Sequence, residues 1–168
     1  MRNNATLFAA VVALGACQKP AETPEQAQAR LASESAAAKA AIDSLNLRFI
    51  NLLKAGQGDS VALAYAEDGV AMPPNAPAAR GRAAIKAFWS AVFPLHPGGS
   101  VRSEVVTAQG DHAIERGAYT LTMTPPGAKE PATDNGKYVV HWRRVDGKWL
   151  IVDDIWNSDR PAAPPPAK

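Results

Sequence analysis

At Gly99 the apolar pattern of the chain changes period, and that switch limits the folds open to it. Upstream, Ile42, Leu45, Phe49, Leu52 and Leu53 recur at helical spacing. An alanine-rich run precedes them, so a first helix is predicted from about Ser33 to the glycines Gly56 and Gly58. Asp59 can cap a second, short helix through Tyr65, with Glu67-Asp68-Gly69 as its stop. A brief strand over 70–72 closes at Pro73-Pro74. Gly81 opens a third helix with Ile85, Phe88, Trp89 and Val92 on one side, and Pro94 ends it. Downstream the alternation is that of strands, over 101–107, 112–124, 136–145 and 148–157. Asp146-Gly147 between the last two is a strong signal for a two-residue hairpin. Helices first and strands afterwards argue an α+β fold, with helices packed on one face of an antiparallel sheet.

A chain of 168 residues holds one such domain plus tails. A formal charge of +2, with no cluster of Lys and Arg, excludes an electrostatic nucleic-acid binder. The single cysteine excludes an intrachain disulfide and any multi-cysteine zinc site. The three histidines lack metal-ligand spacing, and no G-x-S-x-G, P-loop or H-E-x-x-H motif is present. Gly56-Gln57-Gly58 follows a helix rather than a strand, so it is no dinucleotide fingerprint. No metal and no cofactor are expected.

Residues 1–16 read as a targeting peptide, with Arg2 at its start and an apolar stretch too short to span a bilayer. Leu14-Gly15-Ala16-Cys17 resembles the lipobox of bacterial lipoproteins. The alternatives are an ordinary secretory signal and an N-terminal helix with a chance cysteine. The lipoprotein reading implies acylated Cys17, anchoring to a membrane and a periplasmic location. Gln18 after the cysteine implies the outer membrane. Residues 17–34, with Pro20 and Pro24, then read as lipidated cysteine and flexible tether. Residues 35–160 are the domain, and 161–168 a disordered Pro/Ala tail.

Within the domain, Leu63-Ala64-Tyr65-Ala66-Glu67-Asp68-Gly69-Val70, Pro73-Pro74, Gly81-Arg82-Ala83-Ala84-Ile85 and Phe88-Trp89 resemble the front half of SnoaL-like proteins. Asp111-His112-Ala113, Gly136-Lys137-Tyr138, Trp142, Asp146-Gly147-Lys148-Trp149 and Trp156-Asn157 resemble the back half. These proteins belong to the nuclear-transport-factor-2-like, or ketosteroid-isomerase-like, superfamily. The resemblance implies a cone: a curved antiparallel sheet wrapped around helices, enclosing an apolar pocket. It also implies a homodimer through the outer sheet face. The ketosteroid isomerases use an aspartate base and an oxyanion hole made by a tyrosine and a protonated aspartate. Those positions fall here on Pro73, Phe49 and Val140, so that isomerase chemistry is not expected.

Alternation in the last strand puts Leu150, Val152, Asp154 and Trp156 on one face, and Trp149, Ile151, Asp153, Ile155 and Asn157 on the other. By resemblance to limonene-epoxide hydrolases, the Asp154 face looks into the cone, and Asp154 matches their water-activating aspartate. The arginine and second aspartate of that relay fall on Tyr138 and Val140. Asp154 is thus a candidate base or a carboxylate satisfied by a buried Tyr or Trp donor. Glu115 is a candidate second carboxylate in the pocket, or one half of an ion pair with Arg116, Lys137 or Arg143. A bulge would exchange the faces and bring in Asp153 and Asn157. Trp89, Tyr119, Tyr138, Trp142, Val152 and Trp156 are the candidate ligand-binding wall, with a small apolar molecule as partner. His141 is expected on the convex face. Trp149, Ile151 and Ile155 are the candidate dimer patch. Two functions remain open: a small-molecule binder, or a cofactor-independent hydrolase or isomerase-like enzyme using Asp154.

Overall fold

The computed structural model describes residues 21–161. The expected signal peptide, Cys17 and nearly all of the expected C-terminal tail lie outside them.

Helix α1 runs Pro24–Lys54. Residues 24–34, expected as a flexible tether, are therefore helical. Thr23 explains the early start: its Oγ1 accepts from the Gln26 N–H at 3.2 Å, and Gln26 Oε1 accepts from the Thr23 N–H at 3.0 Å. This reciprocal box satisfies two otherwise orphaned donors, and Pro24 sits where a helix tolerates proline. Arg30–Glu34 and Lys39–Asp43 pairs brace the exposed side. The helix ends at Gly56, whose φ is +66°. Helix α2 is only Gly58–Ala62.

Strand β1, Tyr65–Met72, begins where the second helix was expected to be still running. Glu67-Asp68-Gly69 is an irregular stretch of that strand rather than a helix stop. Tertiary pairing overrides the local signal: β1 lies parallel to β6, Lys148–Ser158, with Val70 beside Asp153 and Ala71 beside Asp154. The sheet is mixed in consequence, not purely antiparallel. A two-residue β2, Ala79–Arg80, pairs antiparallel with β1. Helix α3, Gly81–Val92, and a 3₁₀ turn over Phe93–Leu95 follow. Strands β3 (Gly98–Gln109), β4 (His112–Met123) and β5 (Ala132–Val145) complete a six-stranded sheet of order β2-β1-β6-β5-β4-β3. Asp146 and Gly147 both take positive φ, as a tight primed hairpin turn requires.

One face of the curved sheet buries α1 and α3. Ile42, Ile50, Leu53, Ile85 and Trp89 pack there against Tyr65, Val140, Trp142 and Ile151. The register of β5 on β6 decides which residues of β6 join them. Trp142 pairs with Ile151 and His141 with Asp153, so Val152 is left over as a bulge. The alternation therefore resets within the strand. Asp154 and Trp156 face the core as expected, but so do Trp149 and Ile151, 9% and 4% exposed. Those two do not form an outer patch, and Val152 does not line the pocket. Ile155 does face outward. It pairs with Val139, and Val105 and Ile114 are also exposed on that face.

Candidate functional site

The concave face carries two buried carboxylates, Glu115 on β4 and Asp154 on β6. Burying a carboxylate is costly unless donors replace its water. The two are treated differently.

Glu115 is fully buried, and its donors come from two elements, α1 and β5. Asn46 Nδ2 on α1 donates to Oε1 at 2.7 Å, and the Tyr138 hydroxyl on β5 donates to the same oxygen at 2.7 Å. Trp142 Nε1, also on β5, donates to Oε2 at 2.9 Å. All three donors are neutral, so Glu115 is no partner of Arg116, Lys137 or Arg143. Desolvation, then the neighbouring Glu115 charge, pushes the Tyr138 phenol far above its usual pKa, which keeps it a donor. Gly117 makes the Tyr138 contact possible. Gly117 pairs with Tyr138 across the strands, and a Cβ there would fall 2.6 Å from the Tyr138 oxygen. Without that Cβ the phenol lies along β4 and reaches Glu115, two residues away. The same device recurs at Gly136, which pairs with Tyr119 and frees its hydroxyl to reach Asp134 at 2.9 Å.

Asp154, 9% exposed, has one donor: the hydroxyl of Tyr65 at the head of β1, 2.6 Å from Oδ2. Among the described residues nothing donates to Oδ1. Burial raises the Asp154 pKa to about 6; the Tyr65 bond lowers it, and the charge of Glu115 raises it again. Tyr65 is itself wholly buried and its phenol is pushed well up, first by desolvation and then by the Asp154 charge. Trp89 Nε1 lies near enough to Tyr65 to act weakly on it, yet meets hydrogen-bond geometry with no protein atom among those described.

Asp154 opens onto a cavity of about 90 Å³. Trp89, Tyr119, Tyr138, Trp142 and Trp156 line it as the sequence led one to expect, and Phe49 and Val140 join them. Glu115 does not reach its surface; it lies behind Tyr138 and Trp142. The cavity is smaller than the ~150 Å³ that admits benzene to an engineered apolar core. Trp89 and Trp156, two members of that expected wall, stack directly on each other, centroids 5.9 Å apart and planes at 11°. No ring fits between them. Asp153 and Asn157 do not line the cavity. His141 lies on the outer face, hydrogen-bonded to Asp153 at 3.0 Å and to His112 at 2.9 Å. No group of three metal-binding side chains converges anywhere among the described residues.

Sequence reasoning missed Asn46 and Tyr65 as parts of this site. Tyr65 was hidden because local signals placed it on a helix. The Glu115 arrangement did leave a trace: Glu115-x-Gly117 and Asp134-x-Gly136 share one spacing, each acid two residues before a glycine that faces a tyrosine.

A curved mixed sheet packed on helices is the fold of nuclear-transport-factor-2-like proteins, also termed cystatin-like. The chain belongs to the SnoaL-like domain family, whose model matches residues 47–152. Among solved structures it is similar to an NTF2-like protein with a cystatin-like fold from Novosphingobium aromaticivorans. That match has 21% identity, covers 84% of this chain and 94% of that one, and gives a TM-score of 0.65. It is also similar to a ketosteroid isomerase-like protein from Erwinia carotovora atroseptica, at 21% identity, 73% and 96% coverage and a TM-score of 0.64. A protein of unknown function with a cystatin-like fold from Nostoc punctiforme gives 16%, 72%, 90% and 0.63 in the same order. At these identities the likeness is one of fold. No curated protein sequence matches the chain.

Proposed function

We propose that this domain binds a small, largely apolar molecule in the aromatic pocket, with Asp154 as its polar anchor. The carrying observation is the half-satisfied carboxylate: Oδ2 is held by Tyr65, nothing among the described residues donates to Oδ1, and the residue lines the cavity. A ligand hydrogen bond there would replace the one that burial removed. Co-purified ligands identified by mass spectrometry, with Asp154→Asn as control, test this. Retention of the same ligand at the same occupancy by Asp154→Asn would refute the anchor. A second reading, acid–base catalysis, draws on one feature: a carboxyl titrating at about 6 can carry a proton near neutral pH. It assigns that role to Asp154 alone. Glu115 is fully buried and does not line the cavity, so it does not meet a substrate there. In that case Asp154→Asn should keep binding and lower turnover by ~10²–10⁴.

We further propose that Cys17 is acylated and holds the domain at the periplasmic side of a membrane, on the strength of Leu14-Gly15-Ala16-Cys17. No helix among the described residues is long and apolar enough to cross a bilayer. Cys17→Ser should move the protein to the soluble fraction; a variant still in the membrane pellet after a salt wash rules the anchor out. The homodimer remains our proposal on a revised patch: Val105, Ile114, Val139 and Ile155, all 41–48% exposed on the outer face. Glu104 with Arg116 and Lys137 with Asp159 lie beside it, so both charge signs are available to a second copy. Ile155→Asp should give a monomer in sedimentation, and a wild type already monomeric at ~50 μM would exclude a standard-size interface.

A further inference from the structure

We infer that the molecule held by Asp154 is a small organic cation, an alkylammonium of a few carbons rather than a neutral compound. This rests on the pocket reading above and adds the charge of the ligand to it.

The first observation is the charge around the cavity. Its lining includes one carboxylate and no Lys, Arg or His. Behind the wall stands Glu115, bonded only to neutral donors, and its charge acts on Asp154. Asp154 in turn is met by a neutral phenol. Two carboxylates thus share the buried interior, and among the described residues no cation pairs with either. Arg143, Arg82, Arg144 and Lys137 pair instead with Asp68, Glu67, Asp111 and Asp159 at the surface. A positive ligand would supply the missing counter-charge where the dielectric is low and the attraction is large.

The second observation is the chemistry of the walls. Phe49, Trp89, Tyr119, Tyr138, Trp142 and Trp156 surround the space. Aromatic rings tolerate a cation where aliphatic walls would not, because their faces are negative. The third is the count of free oxygens. Glu115 does not reach the cavity, and Asp154 brings one oxygen without a donor among the described residues, far fewer than the six to eight oxygens that calcium takes. One carboxylate oxygen takes one N–H of an ammonium head, and the negative ring faces meet the others. The volume of about 90 Å³ limits the body of the ligand to a few carbon atoms.

The test is titration of the full domain with n-propylammonium chloride and with 1-propanol at pH 7.5, followed by calorimetry and by tryptophan fluorescence. The ammonium should bind and the alcohol should bind at least about thirtyfold more weakly, the scale of losing one member of a buried charge pair. Asp154→Asn should lose the ammonium by a similar factor; its melting curve reports whether it is folded, and the two-ligand comparison on the wild type stands without it. Tighter binding of 1-propanol than of propylammonium overturns the inference and leaves the pocket reading intact. If neither probe binds the wild type at tens of millimolar (~50 mM), where even a weak site should begin to fill, both fall.

Discussion

Glu115 and Asp154 lie on the same concave surface, one on β4 and one on β6, and both are carboxylates removed from water. Glu115 has three donors, drawn from α1 and β5. Among the described residues Asp154 has one, and its other oxygen lies without a donor beside a cavity. The contrast separates two uses of a buried acid. A carboxylate held by donors from two elements and kept off the cavity ties those elements together and gives nothing to a ligand. A half-saturated one is held at a cost to stability, and the interaction it lacks is available for binding or proton transfer.

The largest effect should come from breaking the saturated member. Glu115→Ala leaves Asn46, Tyr138 and Trp142 with buried donors and no acceptor. At about 1–3 kcal/mol per orphaned group, the loss should reach ~3–5 kcal/mol in a urea titration. A loss below ~1 kcal/mol would mean that Glu115 does not tie β4 to β5 and α1. Glu115→Gln should fall between, since its carbonyl can keep two donors while its amide meets the Trp142 N–H.

The half-saturated member should behave in the opposite sense. Its folded pKa of about 6 stands above the 3.8 of an ordinary aspartate. For an acid raised in this way, the unfolded chain ionises first as pH rises. The contribution to stability is whole below pH ~4 and is lost as pH climbs through ~6. Asp154→Asn has no such loss. The stability of the variant relative to wild type should therefore improve by up to ~3 kcal/mol between pH ~4 and ~7, at about 1.4 kcal/mol for each pH unit separating the folded and unfolded titrations. Parallel stability curves over that window would show that Asp154 is not buried as a free acid.

Smallest is the effect of the phenol that joins β1 to Asp154. Tyr65→Phe removes one hydrogen bond and should cost ~1–2 kcal/mol. It sharpens the comparison by direction: the Tyr65 bond lowers the Asp154 pKa, so its loss should move the carboxyl titration upward from about 6. Carbon-detected NMR of the Asp154 side chain reads this directly. A downward shift would assign Tyr65 the wrong role.

Much of this was legible in the residues, for reasons that can be traced. The period change at Gly99, the Asp146-Gly147 turn and the run from Gly81 to Pro94 are local signals. The resulting elements, α3 and the β5–β6 hairpin, depend mainly on their own residues. Asp154 and Trp156 could be placed together on one face by alternation, and the family resemblance turned that face inward. What misled was also local. Pro20 and Pro24 read as a tether, although Pro24 opens a helix that Thr23 caps. Tyr65 read as the end of a helix, although it opens a strand.

The sequence alone determined which elements form, since helical and strand periodicity, caps and turns act over a few residues. It also placed Asp154 and Trp156 on one face of the last strand by alternation. Tertiary structure decided which acid would be locked and which left open. That choice rests on the unpaired Val152, which brings Trp149 and Ile151 inward ahead of Asp154, and on the parallel docking of β1, which delivers the Tyr65 hydroxyl. It rests also on the missing Cβ of Gly117, which lets Tyr138 reach Glu115. Each is a contact between segments brought together only by the fold, where a shift of one residue reverses every side chain that follows.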